Sequence, residues 1–132
     1  MEIAMSDKKT ILLVDDDPMF LNALATTLEA NYDVLTAADG LNAVYTYESN
    51  REKVAAIVTD LGMPRLDVQS LVGWIHHISP NLPVIIMSDG SRAKAVEDFR
   101  NCPTLSLLVK PFAPGRLEDA IRNALEACTE LS

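Results

Sequence analysis

Apolar residues recur along this chain in two alternating rhythms. Short runs rich in apolar residues cover Thr10–Val14, Tyr32–Ala37, Val54–Thr59, Pro83–Met87 and Leu105–Val109, and each reads as a strand. Between them, apolar positions return every three or four residues, the spacing of one helix face. Pro18 opens the first such stretch, in a first turn where its missing N–H is not needed. Phe20, Ala23, Leu24, Thr27 and Leu28 form its expected inner face. After the Asp39-Gly40 break, Leu41–Ser49 suits a second helix burying Ala43, Val44 and Tyr47. Gly62–Leu66 reads as loop, with Pro64 setting the turn, and Asp67 as the N-cap of a third helix through Ser79. Its buried stripe is Val68, Leu71, Val72, Ile75 and Ile78. Ser91–Asn101 gives a fourth helix with few apolar anchors, turning Ala95, Val96 and Phe99 inward. Pro114–Cys128 gives a fifth, packing Leu117, Ile121, Ala124, Leu125 and Cys128.

Strands without polar alternation are buried on both faces, so the sheet they form is parallel and carries helices on each side. The expected fold is α/β and doubly wound: a flavodoxin-like (βα)5 unit with a five-stranded parallel sheet in the order 2-1-3-4-5. At 132 residues the chain is one domain, spanning 10–128, with an N-terminal extension at 1–9 and a tail at 129–132. With 48% hydrophobic and 23% charged residues it reads as globular, not disordered. The net charge of −8 argues against direct nucleic-acid binding by this domain, which needs clustered Lys and Arg. No apolar stretch approaches the roughly 20 residues of a membrane span, and the start lacks a signal-peptide core. A cytoplasmic protein with no membrane partner is the expectation. Cys102 and Cys128 form no framework and read as small buried thiols.

The candidate chemistry sits where the apolar runs stop. The first ends in Asp15-Asp16-Asp17, the third in Asp60, the fourth in Ser88 and the fifth in Lys110. In the expected strand order, strands one and three are neighbours at the switch point, so Asp15, Asp16 and Asp60 share one pocket. Two carboxylates about 4 Å apart repel by roughly 4 kcal/mol at an effective dielectric of about 20. Such a cluster holds either protons or a cation. With oxygen ligands alone the ion is hard, and Mg²⁺ (or Mn²⁺) suits a few carboxylates that also receive a phosphate. Lys110 lies two strands from Asp60 and must span roughly 10 Å. A carboxylate nucleophile at Asp60, a cation and Lys110 to neutralise phosphoryl oxygens, and a hydroxyl at Ser88 fit phosphoryl transfer.

Four segments, Ile11–Pro18 (ILLVDDDP), Ile57–Pro64 (IVTDLGMP), Pro83–Ser88 (PVIIMS) and Leu108–Phe112 (LVKPF), together resemble the receiver domain of bacterial two-component response regulators. The resemblance implies that Asp60 is phosphorylated by a histidine kinase or phosphotransfer protein. It makes Asp16 a direct Mg²⁺ ligand, with Asp15 acting through water and the Gly62 carbonyl as the third protein ligand. It makes Ser88 the hydroxyl that moves toward the phosphate and Lys110 the cation that pairs with it. The Lys110-Pro111 bond is similar to one usually cis in the family, and X–Pro is where a cis bond is tolerated. Partners implied are an output domain or protein on the face of the fourth helix, fifth strand and fifth helix, and a second copy of the chain.

The chain departs from that pattern at two places beside the site. Leu107 stands three residues before the lysine, where the family carries the Tyr or Phe that swings inward on activation. Asp89 follows Ser88, where a small residue is usual; a carboxylate there narrows access, unless it points to solvent. Asp17 is assigned to cap the first helix in preference to lining the pocket rim. His76 and His77 are adjacent, do not face one another on a helix and read as solvated. Trp74, off its helix's inner stripe, fits an interface or packing at the helix edge.

Two alternatives stand beside the phosphorylation switch. One is a receiver that docks partners without phosphorylation, which Leu107 and Asp89 favour and the complete acid set and Lys110 oppose. The other is a haloacid-dehalogenase-like phosphatase using Asp15 of Asp15-Asp16-Asp17 as nucleophile. It needs an acidic pair at a strand end after the lysine. The acids after Lys110 are Glu118, Asp119, Glu126 and Glu130, all on or past the last helix, and Asp60 is left without a role.

Overall fold

A computed structural model of the chain describes residues 8–60, 68–88 and 105–131. Among these, the elements run in the order β1 (Thr10–Val14), α1 (Pro18–Leu28), β2 (Asp33–Ala37), α2 (Gly40–Ser49), β3 (Val54–Asp60), α3 (Val68–Ile78), β4 (Val84–Ser88), β5 (Leu105–Val109) and α4 (Pro114–Leu131). The five strands form one sheet in the order β2-β1-β3-β4-β5, and every pairing is parallel. This is the flavodoxin-like arrangement the strand runs predict. The expected loop at Gly62–Leu66, the Asp67 cap, the helix over Ser91–Asn101 and Cys102 lie outside the described residues, as do the side chains of Val68 and Cys128.

The central strands supply two cores because successive side chains of a strand point to opposite faces. From β1, Ile11 and Leu13 join Val58, Ile85 and Met87 beneath α1 and α4. Leu12 and Val14 join Ile57, Val84 and Ile86 beneath α2 and α3. An unbroken apolar run is therefore what a strand between two helical layers requires. β2 and β5, at the sheet edges, show a weaker pattern. On β5, Leu108 is 6% exposed while Leu107 and Val109 are 43% and 50% exposed. Edge position restores the alternation that the sequence run hides.

Helix ends follow their capping residues. Asp17 is the N-cap of α1, with extended backbone and a side chain that accepts from the N–H groups of Met19 and Phe20. Asp39 does the same for α2 through Asn42. α1 is turned relative to expectation. Leu21, Leu24, Ala25 and Leu28 are the buried positions, whereas Ala23 is exposed and Thr27 only half-buried. Leu21, Leu24 and Leu28 carry more apolar volume than Ala23 and Thr27, so they fix the rotation. The Thr27 hydroxyl donates to the Ala23 carbonyl at 3.0 Å. Predicted anchors of α3 (Leu71, Val72, Ile75) and of α4 (Leu117, Ile121, Ala124) are buried.

Trp74 packs edge-on against Tyr47 of α2, with ring centroids 5.9 Å apart, so helix-edge packing is its role here. The Tyr47 side chain is 1% exposed, and its hydroxyl pairs with the Ser79 hydroxyl at 2.6 Å, tying α2 to the end of α3. Tyr47→Phe keeps the ring and removes that bond. Urea denaturation is expected to show a loss of about 1 kcal/mol with an unchanged slope.

Candidate functional site

The carboxyl ends of β1 and β3 lie side by side, since Val14 pairs with Thr59 in the last matched register position. The next residues, Asp15 and Asp60, therefore emerge together. Asp15 is fixed by its backbone N–H, which donates to the Ala37 carbonyl of β2 at 3.1 Å. Its side chain is 1% exposed. Asp16 turns to solvent, and Asp17 caps α1. Three consecutive acids thus take three different positions, set by the turn between strand and helix. Carboxylate oxygens of Asp15, Asp16 and Asp60 all come within 4.8 Å of one another, a group able to hold a metal ion.

Lys110 enters from the far edge of the sheet. Its backbone N–H donates to the Ser88 carbonyl at 2.6 Å, continuing the β4–β5 ladder by one residue. The Lys110-Pro111 peptide is cis. The side chain then crosses the end of β4 and reaches both carboxylates: Nζ lies 3.0 Å from Asp60 Oδ1 and 3.2 Å from Asp15 Oδ2. Its reach covers the span expected from strand spacing. Ser88, 3% exposed, stands one residue beyond Met87, the β4 partner of Asp60.

The electrostatics reflect burial of like charges. Burial pushes the Asp15 carboxyl above its usual range. The Asp17 N–H, donating to Asp15 Oδ1 at 2.9 Å, and the Lys110 ammonium pull it back down only in part, while Asp60 adds to the rise. For Lys110, burial works to lower the value. The Asp60 hydrogen bond and the charges of Asp15 and Asp60 outweigh it, so the ammonium is held above its ordinary pKa. The pocket thus contains a carboxylate that resists ionisation and a cation that resists losing its proton.

Not every predicted position falls in this pocket. Gly62 and Asp89 lie outside the described residues. Leu107 is on β5, paired with Ile86, and is exposed on an edge strand. His77 is exposed, as expected of a solvated residue, but His76 is half-buried, and burial lowers its pKa. Phe20 has a second contact that the sequence concealed. Expected in the inner face of α1, it is partly buried against that core, and its ring centroid also lies 4.4 Å from Lys110 Nζ. The clue was an aromatic five residues after Asp15 and another, Phe112, two after Lys110. Only the fold brings the two together.

Comparison with known proteins places this geometry in a family. The model of the response regulator receiver domain matches residues 11–122. Over 118 residues the chain is 38% identical to the transcriptional regulatory protein GlrR of Escherichia coli K12, aligning 88% of this chain with 26% of that protein. The response regulator receiver domain protein of Clostridium thermocellum superposes with a TM-score of 0.84 at 27% identity, over 94% of this chain and 99% of that one. The chemotaxis response regulator CheY4 of Vibrio cholerae gives 0.79 at 25% identity, over 89% and 98%. The chain spans about a quarter of the length of curated relatives such as GlrR and FleR of Pseudomonas aeruginosa. The family match covers the four strand-end segments and the sheet order alike: this chain belongs to the response regulator receiver domain family.

Proposed function

We propose that Asp60 accepts a phosphoryl group from a histidine of a histidine kinase or phosphotransfer protein, and that the chain later hydrolyses it. The observation that carries this reading is the position of Lys110 Nζ, 3.0 Å from Asp60 Oδ1 at the end of a side chain that crosses a strand to get there. An Asp60 oxygen attacks phosphorus while the bond to the donor nitrogen breaks, and the imidazole leaves with that electron pair. Lys110 neutralises negative charge on the phosphoryl oxygens as it grows. In hydrolysis, water attacks phosphorus, the bond to Asp60 breaks and inorganic phosphate leaves. Asp15 is a poor nucleophile by comparison. Its oxygens are engaged by the Asp17 N–H and by Lys110, and its side chain is 1% exposed against 18% for Asp60. That contrast in exposure, with the family match, favours Asp60 over Asp15 as the acceptor and speaks against the phosphatase reading.

The residues fit a hard divalent cation. Three carboxylates converge, one of them, Asp16, facing solvent. Burial raises the Asp15 pKa, a penalty on the charged carboxylate that a bound cation would offset. Asp15, Asp16 and Asp60 would hold Mg²⁺ (or Mn²⁺), with the Gly62 carbonyl as a further ligand. When bound, it supplies positive charge to the phosphoryl oxygens. Ser88 is placed on the strand between Asp60 and Lys110, where its hydroxyl can join the same group. The output is a shift between two conformations, read by an output domain or partner on the face that includes β5 and α4. A second reading, docking without phosphorylation, draws on the exposure of Leu107 and Val109 on β5.

Incubation with Mg²⁺ and a small acyl phosphate is expected to add one phosphoryl group by intact mass, and Asp60→Asn to add none. A wild-type protein that takes up no phosphate would sink the switch and leave constitutive docking. Mg²⁺ alone is expected to raise the thermal midpoint, as any ligand of the folded state does. Asp16→Asn removes that rise. Asp17→Ala lowers stability by about 1 kcal/mol through the lost cap yet keeps the rise.

The third expectation concerns Asp15 without metal. Its folded pKa lies above the 3.8 of an ordinary aspartate, so the folded state holds the proton more tightly than the unfolded chain. Stability from this group is full at acid pH and falls as pH rises from that ordinary value through the folded one. Asp15→Asn cannot ionise and its carbonyl still accepts the Asp17 N–H. In chelator at pH 7 it is expected to melt a few degrees above wild type, a gap that closes as the pH approaches the ordinary carboxylate range. An equal gap at both pH values would contradict the burial argument.

A further inference from the structure

Among the described residues, Lys110 Nζ lies close to Asp15 Oδ2, Asp60 Oδ1 and the face of the Phe20 ring, whose centroid is 4.4 Å away. The two carboxylates are also the groups that the phosphoacceptor reading commits to a metal ion and a phosphoryl group. The ring, packed against the core and against Phe112, takes no part in either. A cation over an aromatic face within about 6 Å of the centroid is attracted by the ring's negative face, more strongly where water is kept away. The ring itself is held from two sides. Its backbone N–H donates to Asp17 Oδ1 at 3.3 Å in the first turn of α1. Its edge meets Phe112 at a centroid distance of 6.1 Å and an angle of 68°. Phe112 is two residues beyond Lys110 on the same strand exit, so the aromatic pair clamps α1 to the segment that carries the lysine.

We infer that Phe20 is a positioning residue for Lys110, holding its ammonium over the pocket when the carboxylates are drawn to other partners. Asp17 acts through it: the third acid of the triplet fixes the backbone of the residue whose ring faces the lysine. This inference rests on the phosphoacceptor reading only for its consequence on phosphorylation; the contact itself is tested independently.

The experiment compares wild type with Phe20→Leu, which keeps apolar bulk, and Phe20→Tyr, which keeps the aromatic face. NMR reads the ε-methylene protons of Lys110, with and without Mg²⁺. Ring current shifts them upfield in wild type and Phe20→Tyr, and Phe20→Leu returns them toward the ordinary lysine position. Phosphorylation by a small acyl phosphate slows about threefold to tenfold in Phe20→Leu, the effect of one cation–π contact, and recovers in Phe20→Tyr. In a Lys110→Met background, the same Phe20→Leu change has no further effect. Lys110 protons unmoved by Phe20→Leu overturn the proposal. So does an equal slowing in the Lys110→Met background, which would mean that the ring acts by general packing. Should Phe20→Leu fail to fold, Phe20→Met takes its place. If wild type accepts no phosphate, the phosphoacceptor reading fails, while the NMR shifts still decide whether the ring holds the ammonium.

Discussion

A carboxylate buried at the end of β1 needs compensating charge, and the surrounding structure supplies it from elements far apart in sequence. Asp15 is sealed beneath the turn into α1, with one oxygen on a backbone N–H and the other on Lys110, 95 residues away. That ion pair joins the first strand of the sheet to the last across β3 and β4. It forms only if β1 and β3 are adjacent, if β4 and β5 follow in order, and if the strand ends are level. Sheet topology is thus a precondition of the site's charge balance. Removing Lys110 would leave both carboxylates without that charge, whereas Lys110 without Asp15 keeps Asp60.

The two cores make that levelness rigid. Because alternate residues of β1, β3 and β4 face opposite helical layers, every residue of their central runs is packed. A register slip of one residue would exchange the two faces and strip both cores of their fit. The reactive residues begin where packing ends, one step past Val14, at the close of β3 and β4, and one step past Val109. They therefore inherit fixed positions from the strands and differ in exposure only through local turns. Asp15, Asp16 and Asp17 show this most directly, since three identical side chains in a row end up buried, solvated and capping.

How much of this was legible depends on whether the signal was local. Strand runs, their order and the strand-end residues could be read because apolar periodicity and residue chemistry are properties of short segments. The Asp17 cap was legible for the same reason. The rotation of α1 was not. Phe20 is the bulkiest apolar residue of that helix, and pattern alone puts it in the core with Ala23 and Thr27. In the fold it packs against the core only in part and also reaches Lys110, while Leu21 and Ala25 are buried. β5 has the bounds and the edge place expected of it; what its apolar run hid is the exposure of Leu107 and Val109, because such a run does not say which face is covered.

The site and the edge strand are mechanically joined through one peptide. The Lys110 N–H bonds the Ser88 carbonyl, so the backbone carrying the lysine is anchored to the residue that follows Met87, the β4 partner of Asp60. Leu107 lies three residues before Lys110 on the same strand and is exposed. A displacement of Ser88 toward a group on Asp60 would therefore pull on β5 directly, through the ladder, without needing an aromatic side chain to swing inward. A leucine at this position removes the ring that such a relay uses, but it leaves the backbone connection whole. If Asp60 is phosphorylated as proposed, this backbone connection would carry its state to the sheet edge.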